Sequence, residues 1–401
     1  MIPTASGSAG PGAGRGPGGG GPSFPALPDF PWDSLATEAA TARAHPDGVV
    51  DLSVGTPVDP VPEIVGAALR AAWDSPGYPQ TWGTPSLRDA VVAALERRHG
   101  AGRGDAPGLD PAAVLPTVGS KELVAWLPTL LGLGPDDVVA LPELAYPTYE
   151  VGARLAGART VRVGDDPDAD PLPPGTRLLW LNSPSNPTGR VLDAATLAAR
   201  VAQARALGAV VASDECYLAL PDPDAPPVCS VLDPAVHGGA LDGLLAVHSL
   251  SKTANLAGYR AAFVAGDPAL VRGLLEVRKH AGMIVPRPVQ EAMTAALRDD
   301  EHVAATRARY DARRAVLAPA LAAAGLRIEH SVAGLYLWAT ADKPCRDTVA
   351  RLAGLGILVA PGEFYGPAGA RHVRVALTAT DERIAAAAAR LSGAGAPRLA
   401  G

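Results

Sequence analysis

Residues 248–260 read HSLSKTANLAGYR and follow directly on the apolar run GLLAV at 243–247. The apolar run has the composition of a buried strand. Lys252 therefore stands among small hydroxyl residues just past a strand end, with Arg260 eight positions further on. A lone lysine in a loop is ordinarily a solvated charge. Whether this one has other work depends on what the rest of the chain brings to the same place.

Around that stretch the chain alternates as an α/β protein does. Short apolar or β-branched runs fall at 137–141 (DVVAL), 177–181 (RLLWL), 209–212 (AVVA), 244–248 (LLAVH) and 260–264 (RAAFV). Ala- and Leu-rich segments with helical spacing separate several of them, as at 119–132 and 194–207. Strands that are apolar throughout predict a sheet covered on both faces, and hence a mostly parallel one. A long helical stretch at 289–324 precedes a different pattern: RIEHS, GLYLWAT, a helix near 346–354, GILVAPG and HVRVALT. That pattern predicts a smaller α+β unit. The expected division is a flexible Gly/Pro-rich tail at 1–24 and an arm at 25–48, anchored by Phe30 and Trp32, that joins the small domain. A large domain at 49–284 and a small C-terminal domain at 285–401 complete it.

Composition removes several classes of function. The chain has 401 residues, 48% hydrophobic and 19% charged, which suits a globular protein with a substantial core. A net charge of −6 argues against nucleic acid or an anionic membrane as a partner. Apolar runs such as Leu178 to Leu181 fall far short of the roughly 20 residues that span a bilayer. The first residues, MIPTASGSAGPGAGRGPGGGG, contain no apolar core segment, so a cytoplasmic location is expected. The three cysteines and eight histidines match no metal template, so no metal is expected and the thiols read as reduced. The glycine run at 12–21 follows no strand and reads as flexible chain.

In open α/β sheets ligands bind beyond the C-terminal ends of the strands, and polar residues gather there. After LPTV come Gly119, Ser120 and Lys121, opening a helix whose free N–H groups suit a phosphate. After DVVAL, PELAYPTYE offers Tyr146 as a flat aromatic surface. After RLLWL, NSPSNPTG carries Asn182 and Asn186 in a proline-braced turn. After AVVA come Asp214 and Tyr217; after LLAVH come Ser249, Ser251 and Lys252. Each has a structural reading alone, as a helix cap, a core tyrosine or a turn. Five such groups at five strand ends are harder to explain that way.

Taken together, S-x-S-K followed by LAGYR, and the NPTG turn, resemble the fold-type I pyridoxal-phosphate enzymes of the class I/II aminotransferases. The resemblance runs from about Leu27 to Leu391. It implies a large domain with a mostly parallel seven-stranded sheet between helices, plus a smaller α+β domain. It makes Lys252 the lysine that holds pyridoxal 5′-phosphate as a Schiff base; a primary amine is needed there, and once released it can carry a proton. Asp214 would face the pyridine nitrogen and keep it protonated. Tyr217 and Asn186 would bond the phenolic oxygen, and Tyr146 would stack on the ring. Gly119, Ser120, Lys121, Ser249, Ser251 and Arg260 would surround the phosphate, Arg260 as a two-pronged partner. Tyr78 resembles the tyrosine lent to the neighbouring subunit's phosphate, which implies a homodimer with shared active sites. Arg374 in HVRVAL matches the arginine that forks onto the substrate α-carboxylate, assisted by Gly55 and Asn186.

Within the family the chain looks closest to the actinobacterial N-succinyldiaminopimelate aminotransferases. DLSVGTPVDPVP, VGSKELVAWLP, AYPTYEVGARLA, WLNSPSNPTG, SDECYL, YLWAT and VRVALTATDER carry the narrower likeness. Two places depart from the expected pattern: Thr253-Ala254 after the lysine, where an arginine-serine pair is expected, and IVPRP with Arg287. Arg287 is a candidate anchor for a second acidic group on the substrate, or a surface arginine. Rival readings are a paralogue with another amino-acid substrate, a pyridoxal-phosphate lyase of the same fold, and a transcription regulator with an aminotransferase-like domain. The last would need a basic DNA-binding segment first, and residues 1–48 hold few charges and no helix-turn-helix pattern.

Overall fold

The computed structural model describes residues 26–102 and 108–393; the tail expected at 1–24 lies outside the described residues. Among the described residues, twelve strands form two sheets. They are β1 (Val50–Leu52), β2 (Val114–Val118), β3 (Val138–Pro142), β4 (Arg159–Val163), β5 (Thr176–Asn182), β6 (Val210–Asp214), β7 (Leu244–Ser249), β8 (Ala261–Gly266), β9 (Arg327–Glu329), β10 (Tyr336–Thr340), β11 (Ile357–Pro361) and β12 (His372–Ala376). The larger sheet has the order β2-β8-β7-β6-β5-β3-β4. All its strands are parallel except β8, which pairs antiparallel with both β2 and β7.

Alternation within the continuous apolar strands serves two cores. Leu244 and Ala246 of β7 enter one apolar cluster, Leu245 and Val247 the other; on β8, Ala261 and Phe263 face the first and Val264 the second. Helices cover both faces, so there is no solvent side to require polar residues. Each fully buried Leu or Val contributes about 1.5–3 kcal/mol. The edge strand β4 has no such run. Its sequence RTVRV alternates with exposure, which is why the strand goes unseen in a search for apolar segments.

The helical stretch expected at 289–324 is two helices, Arg287–Arg298 and Glu301–Ala323. Asp299 breaks it: its carboxylate accepts the backbone N–H groups of Glu301 (3.1 Å) and His302 (3.2 Å), as a cap does. Asp300 next to it pairs with Arg97 and Arg98 at 2.6 and 2.5 Å. The first helix packs with Glu63–Ala71 and Pro85–His99 beside the large sheet, while the second packs on Asp381–Ser392 and β9.

The smaller sheet has the order β1-β11-β12-β10-β9, antiparallel except for the β1–β11 pair. Because β1 belongs to it, the chain just past Leu52 leads from the small sheet into the crevice between the sheets. The register sets Trp338 opposite Arg374 and Tyr336 opposite Ala376. Trp32 of the N-terminal arm donates to the Ser53 carbonyl at 3.4 Å and packs on Phe364, 5.3 Å between rings. No helix among the described residues is long and apolar enough to cross a membrane.

Candidate active site

The parallel strands deliver their C-terminal ends to one edge of the large sheet, and the reversed strand β8 brings its N-terminal end there. Arg260, which precedes β8, therefore meets the residues that follow the other strands. It adopts a left-handed backbone (φ 55°), closing the short helix Ala257–Tyr259. Its guanidinium lies against Gly119 so closely that a Cβ there would sit 2.1 Å from Nη2, and Gly119 itself has φ +78°. Only glycine satisfies both conditions.

Lys121 stands near Arg260 with no carboxylate beside it among the described residues. Burial and then the Arg260 charge lower its pKa. Ser249 and Ser251 are buried close by, Ser249 Oγ accepting the Ser251 N–H at 3.1 Å. Two cations, two hydroxyls and the start of the helix Ser120–Leu130 form a cradle with an excess of positive charge and N–H donors.

Asp214 ends β6 and is 7% exposed. Burial raises its pKa, opposed by bonds from the Cys216 N–H (3.2 Å) and the Tyr149 hydroxyl (2.9 Å). Tyr149 is held by stacking on Trp180, 4.8 Å between ring centroids, and Tyr146 meets Tyr149 edge-on at 5.8 Å. Asn182 Nδ2 donates to the Asp214 carbonyl at 2.8 Å, and Asn182 Oδ1 accepts the Asn186 N–H at 2.7 Å. Asn186 Oδ1 in turn accepts from Arg374 Nη1 at 2.8 Å. These bonds tie the Asp214 backbone, through Asn182 and Asn186, to the buried Arg374.

Arg374 also donates from Nη2 to the Ser53 carbonyl at 2.8 Å, while its Nε–H has no partner among the described residues. Its guanidinium lies 4.0 Å from the Tyr336 ring centre and 5.1 Å from that of Tyr365. Lys252 follows β7 and its Nζ donates to the Gly55 carbonyl. No carboxylate among the described residues pairs with it; burial lowers its pKa, and the Arg374 and Arg260 charges push the same way. Tyr217 and Tyr336 share a hydrogen bond of 3.1 Å between their hydroxyls.

Of the residues singled out in the sequence, Gly55, Gly119, Ser120, Lys121, Tyr146, Asn186, Asp214, Tyr217, Ser249, Ser251, Lys252, Arg260 and Arg374 lie along this one edge and the small-sheet surface facing it. Tyr78 does not join them: it is fully exposed, as is most of Trp73. Arg287 does not reach the site either; it pairs with Glu291 at 2.6 Å on the outer part of its helix. Sequence reading overlooked Tyr149, Tyr336 and the Ser53 carbonyl. Tyr149 carried a signal, since it follows Tyr146 at three residues, about one helical turn. No group of three or more His, Cys, Asp or Glu among the described residues could hold a metal.

The donor set fits pyridoxal 5′-phosphate: an anion cradle that only glycine permits, an amine with no counter-charge, and a buried carboxylate suited to a cation. A reactive lysine between such groups, on this doubly wound sheet, defines a fold-type I pyridoxal-phosphate enzyme. The family model "Aminotransferase class I and II" matches residues 47–391, and the chain belongs to that family. It is a transaminase, and its cofactor is pyridoxal phosphate. It is 62% identical to a probable aminotransferase of Mycobacterium tuberculosis, over 91% of this chain and 85% of that one. It is 58% identical to the 4-dedimethylamino-4-oxo-anhydrotetracycline transaminase OxyQ of Streptomyces rimosus, over 91% and 99%. Among solved structures, N-succinyldiaminopimelate aminotransferase from M. tuberculosis superimposes with a TM-score of 0.78 at 29% identity, covering 91% of this chain and 99% of that one.

Proposed function

We propose that the enzyme exchanges an amino group between glutamate and 2-oxoglutarate on one side and N-succinyl-LL-2,6-diaminopimelate and its oxo acid on the other, a step of diaminopimelate and lysine synthesis. The observation that carries the amino-acid part is Arg374: buried, fixed by Asn186 and Ser53, and left with a free Nε–H donor near Lys252. Every amino donor and oxo-acid acceptor of this reaction has an α-carboxylate, which a planar guanidinium grips with two donors. Gly55 and Asn186 assist it.

Pyridoxal phosphate, when bound, supplies the electron sink that makes the substrate Cα–H acidic. Lys252 would hold the cofactor until substrate displaces it, and its free amine would then take the proton from the substrate Cα and deliver it to the cofactor's C4′. Its lowered pKa suits a base that must be neutral to act. Asp214 would keep the ring nitrogen protonated, and Tyr217 and the Asn186 amide would bond the phenolic oxygen. Tyr146 would cover the ring face, and Gly119, Ser120, Lys121, Ser249, Ser251 and Arg260 would hold the phosphate.

The diaminopimelate part is supported by the likeness to the M. tuberculosis enzyme of that name. The higher identity to OxyQ favours a second reading, in which the acceptor is a polycyclic ketone. We further place a second copy of the chain against the face bearing Tyr78 and Trp73, so that Tyr78 completes the neighbour's phosphate site.

A panel with purified enzyme separates these readings: succinylated diaminopimelate, free diaminopimelate, glutamate, alanine and an aromatic amino acid, each with and without an oxo acid. Turnover that needs the oxo acid and peaks with succinylated diaminopimelate supports the first reading. Negligible activity on it, with amination of a polycyclic ketone, replaces it with the second. Turnover without any acceptor would mean lyase chemistry. Sedimentation reports on the dimer, which a monomer at assay concentration would refute.

A further inference from the structure

Tyr336 is absent from the cofactor contacts above, yet its hydroxyl occupies the middle of the site. It lies 3.1 Å from the Tyr217 hydroxyl, and the two rings meet edge to face at 5.7 Å. A Cβ on Gly55 would fall 1.9 Å from the same oxygen, so Gly55 leaves the space it fills. The Tyr336 ring carries Arg374 at 4.0 Å on its face, and strand pairing with β12 fixes the side chain from behind. Both tyrosines are at least nine-tenths buried.

The geometry points to Tyr336 as a positioning residue that donates its hydroxyl proton to Tyr217 and so makes Tyr217 a stronger donor to the cofactor's phenolic oxygen. This rests on the placement of Tyr217 against that oxygen proposed above. A phenol has one proton. If Tyr217 directs its own toward the cofactor, the 3.1 Å contact with Tyr336 requires Tyr336 to be the donor there. A hydroxyl that accepts one hydrogen bond donates another more strongly, because each bond polarises the next.

Electrostatics gives the pair the same direction. Burial pushes the Tyr217 phenol well above its ordinary range, with the Tyr336 charge adding to it. Burial acts on Tyr336 too, but Arg374 and Lys252 outweigh it and leave the phenol more acidic than usual. The more acidic member of a hydroxyl pair is the better donor. The other titratable groups that bear on Tyr336 are Cys216, Tyr146, Tyr310 and Tyr365.

Donation to the phenolic oxygen withdraws negative charge from it. The proton on the Lys252 nitrogen, held by attraction to that oxygen, is then released at lower pH. Removing the donor, or weakening it, must move the release upward. The visible band of the holoenzyme reports this proton, so it is followed against pH for wild type, Tyr217→Phe, Tyr336→Phe and the double variant.

Tyr217→Phe should raise the midpoint by about one to two pH units, and Tyr336→Phe by roughly half a unit in the same direction. The double variant should match Tyr217→Phe alone, because Tyr336 acts only through it. Gly55→Ala, which drives the Tyr336 hydroxyl away without altering the tyrosine, should reproduce the Tyr336→Phe shift. An unmoved midpoint in Tyr336→Phe beside a shifted one in Tyr217→Phe overturns the inference and leaves the placement of Tyr217 standing. A Tyr336→Phe shift that persists in the Tyr217→Phe background also overturns it. No shift in Tyr217→Phe would refute both.

Discussion

The Tyr149 hydroxyl donates to Asp214 Oδ2 at 2.9 Å, from a ring stacked on Trp180 at 4.8 Å. Burial works against ionisation of Asp214, and this bond is one of the few interactions that favours the carboxylate. Tyr149→Phe removes it and keeps the stack. Hydrogen bonds to charged groups are worth about 1.5–3 kcal/mol. We therefore expect the cofactor Kd to rise roughly tenfold or more, measured by titrating the cofactor-free protein with pyridoxal phosphate and following absorption. An unchanged Kd would show that the cofactor does not depend on the Asp214 charge.

Asp214 also predicts a pH dependence of stability. Its pKa in the folded, cofactor-free protein is raised above the unfolded value of about 3.9. Its favourable contribution is thus fully present below that value and is lost as pH rises through the folded pKa, where a buried charge has to form. Asp214→Asn should match or exceed the wild-type Tm of the cofactor-free protein at neutral pH. The difference should shrink toward pH 4, while the cofactor-bound variant loses activity. A cofactor-free variant with clearly lower Tm at neutral pH would contradict the assignment of Asp214 as a functional, destabilised charge.

Much of this site was legible in the sequence because the fold converts strand ends into neighbours. Lys252, Asn186 and Gly119 follow strands of the same sheet and Asp214 ends one, so reading the residues at the end of each apolar run found them. Tyr336 and Tyr149 obey no such rule. Tyr336 reaches the site from the other sheet, through pairing between β10 and β12 that no local pattern reveals. Tyr149 sits on the inner side of a helix, where an aromatic residue reads as core, and it is core on one face, against Trp180. The break at Asp299 was hidden for a third reason. Apolar periodicity continues on both sides; the extended backbone of Asp299 ends one helix, whose last carbonyls Arg97 and Arg98 bond, and its carboxylate caps the start of the next.

Gly119 allows a test of the phosphate cradle without touching a charged group. A side chain at φ +78° and ψ 154°, a conformation almost confined to glycine, costs roughly 1–3 kcal/mol on its own, and the Cβ would meet Arg260 at 2.1 Å. Gly119→Ala should therefore displace Arg260 and weaken pyridoxal-phosphate binding by at least tenfold. It should weaken pyridoxal binding, which lacks the phosphate, much less. Equal losses for the two ligands would mean that the cradle does not hold the phosphate.

Arg374 provides the strongest test of the amino-acid reading, since the prediction is the same for every substrate. Its guanidinium is fixed at three points: Asn186, the Ser53 carbonyl and the Tyr336 ring. Arg374→Lys keeps the charge and discards the planar fork, and lysine cannot serve Asn186, Ser53 and a carboxylate with the same geometry. The change breaks a charged, desolvated hydrogen-bonded pair, so kcat/KM should fall by about 2–4 kcal/mol. The loss should be alike for glutamate, alanine and the preferred donor, because the α-carboxylate is common to them. Effects on a remote acidic group would instead spare alanine. A fall of less than about tenfold, or 1.4 kcal/mol, for glutamate would remove Arg374 from the carboxylate site. Asn186→Ala gives the companion measurement: it leaves the fork intact but frees Nη1, so it should raise KM for all donors by a smaller factor than Arg374→Lys. Were Asn186→Ala the more damaging of the two, the amide would matter more through its bond to the cofactor's phenolic oxygen than through its hold on Arg374.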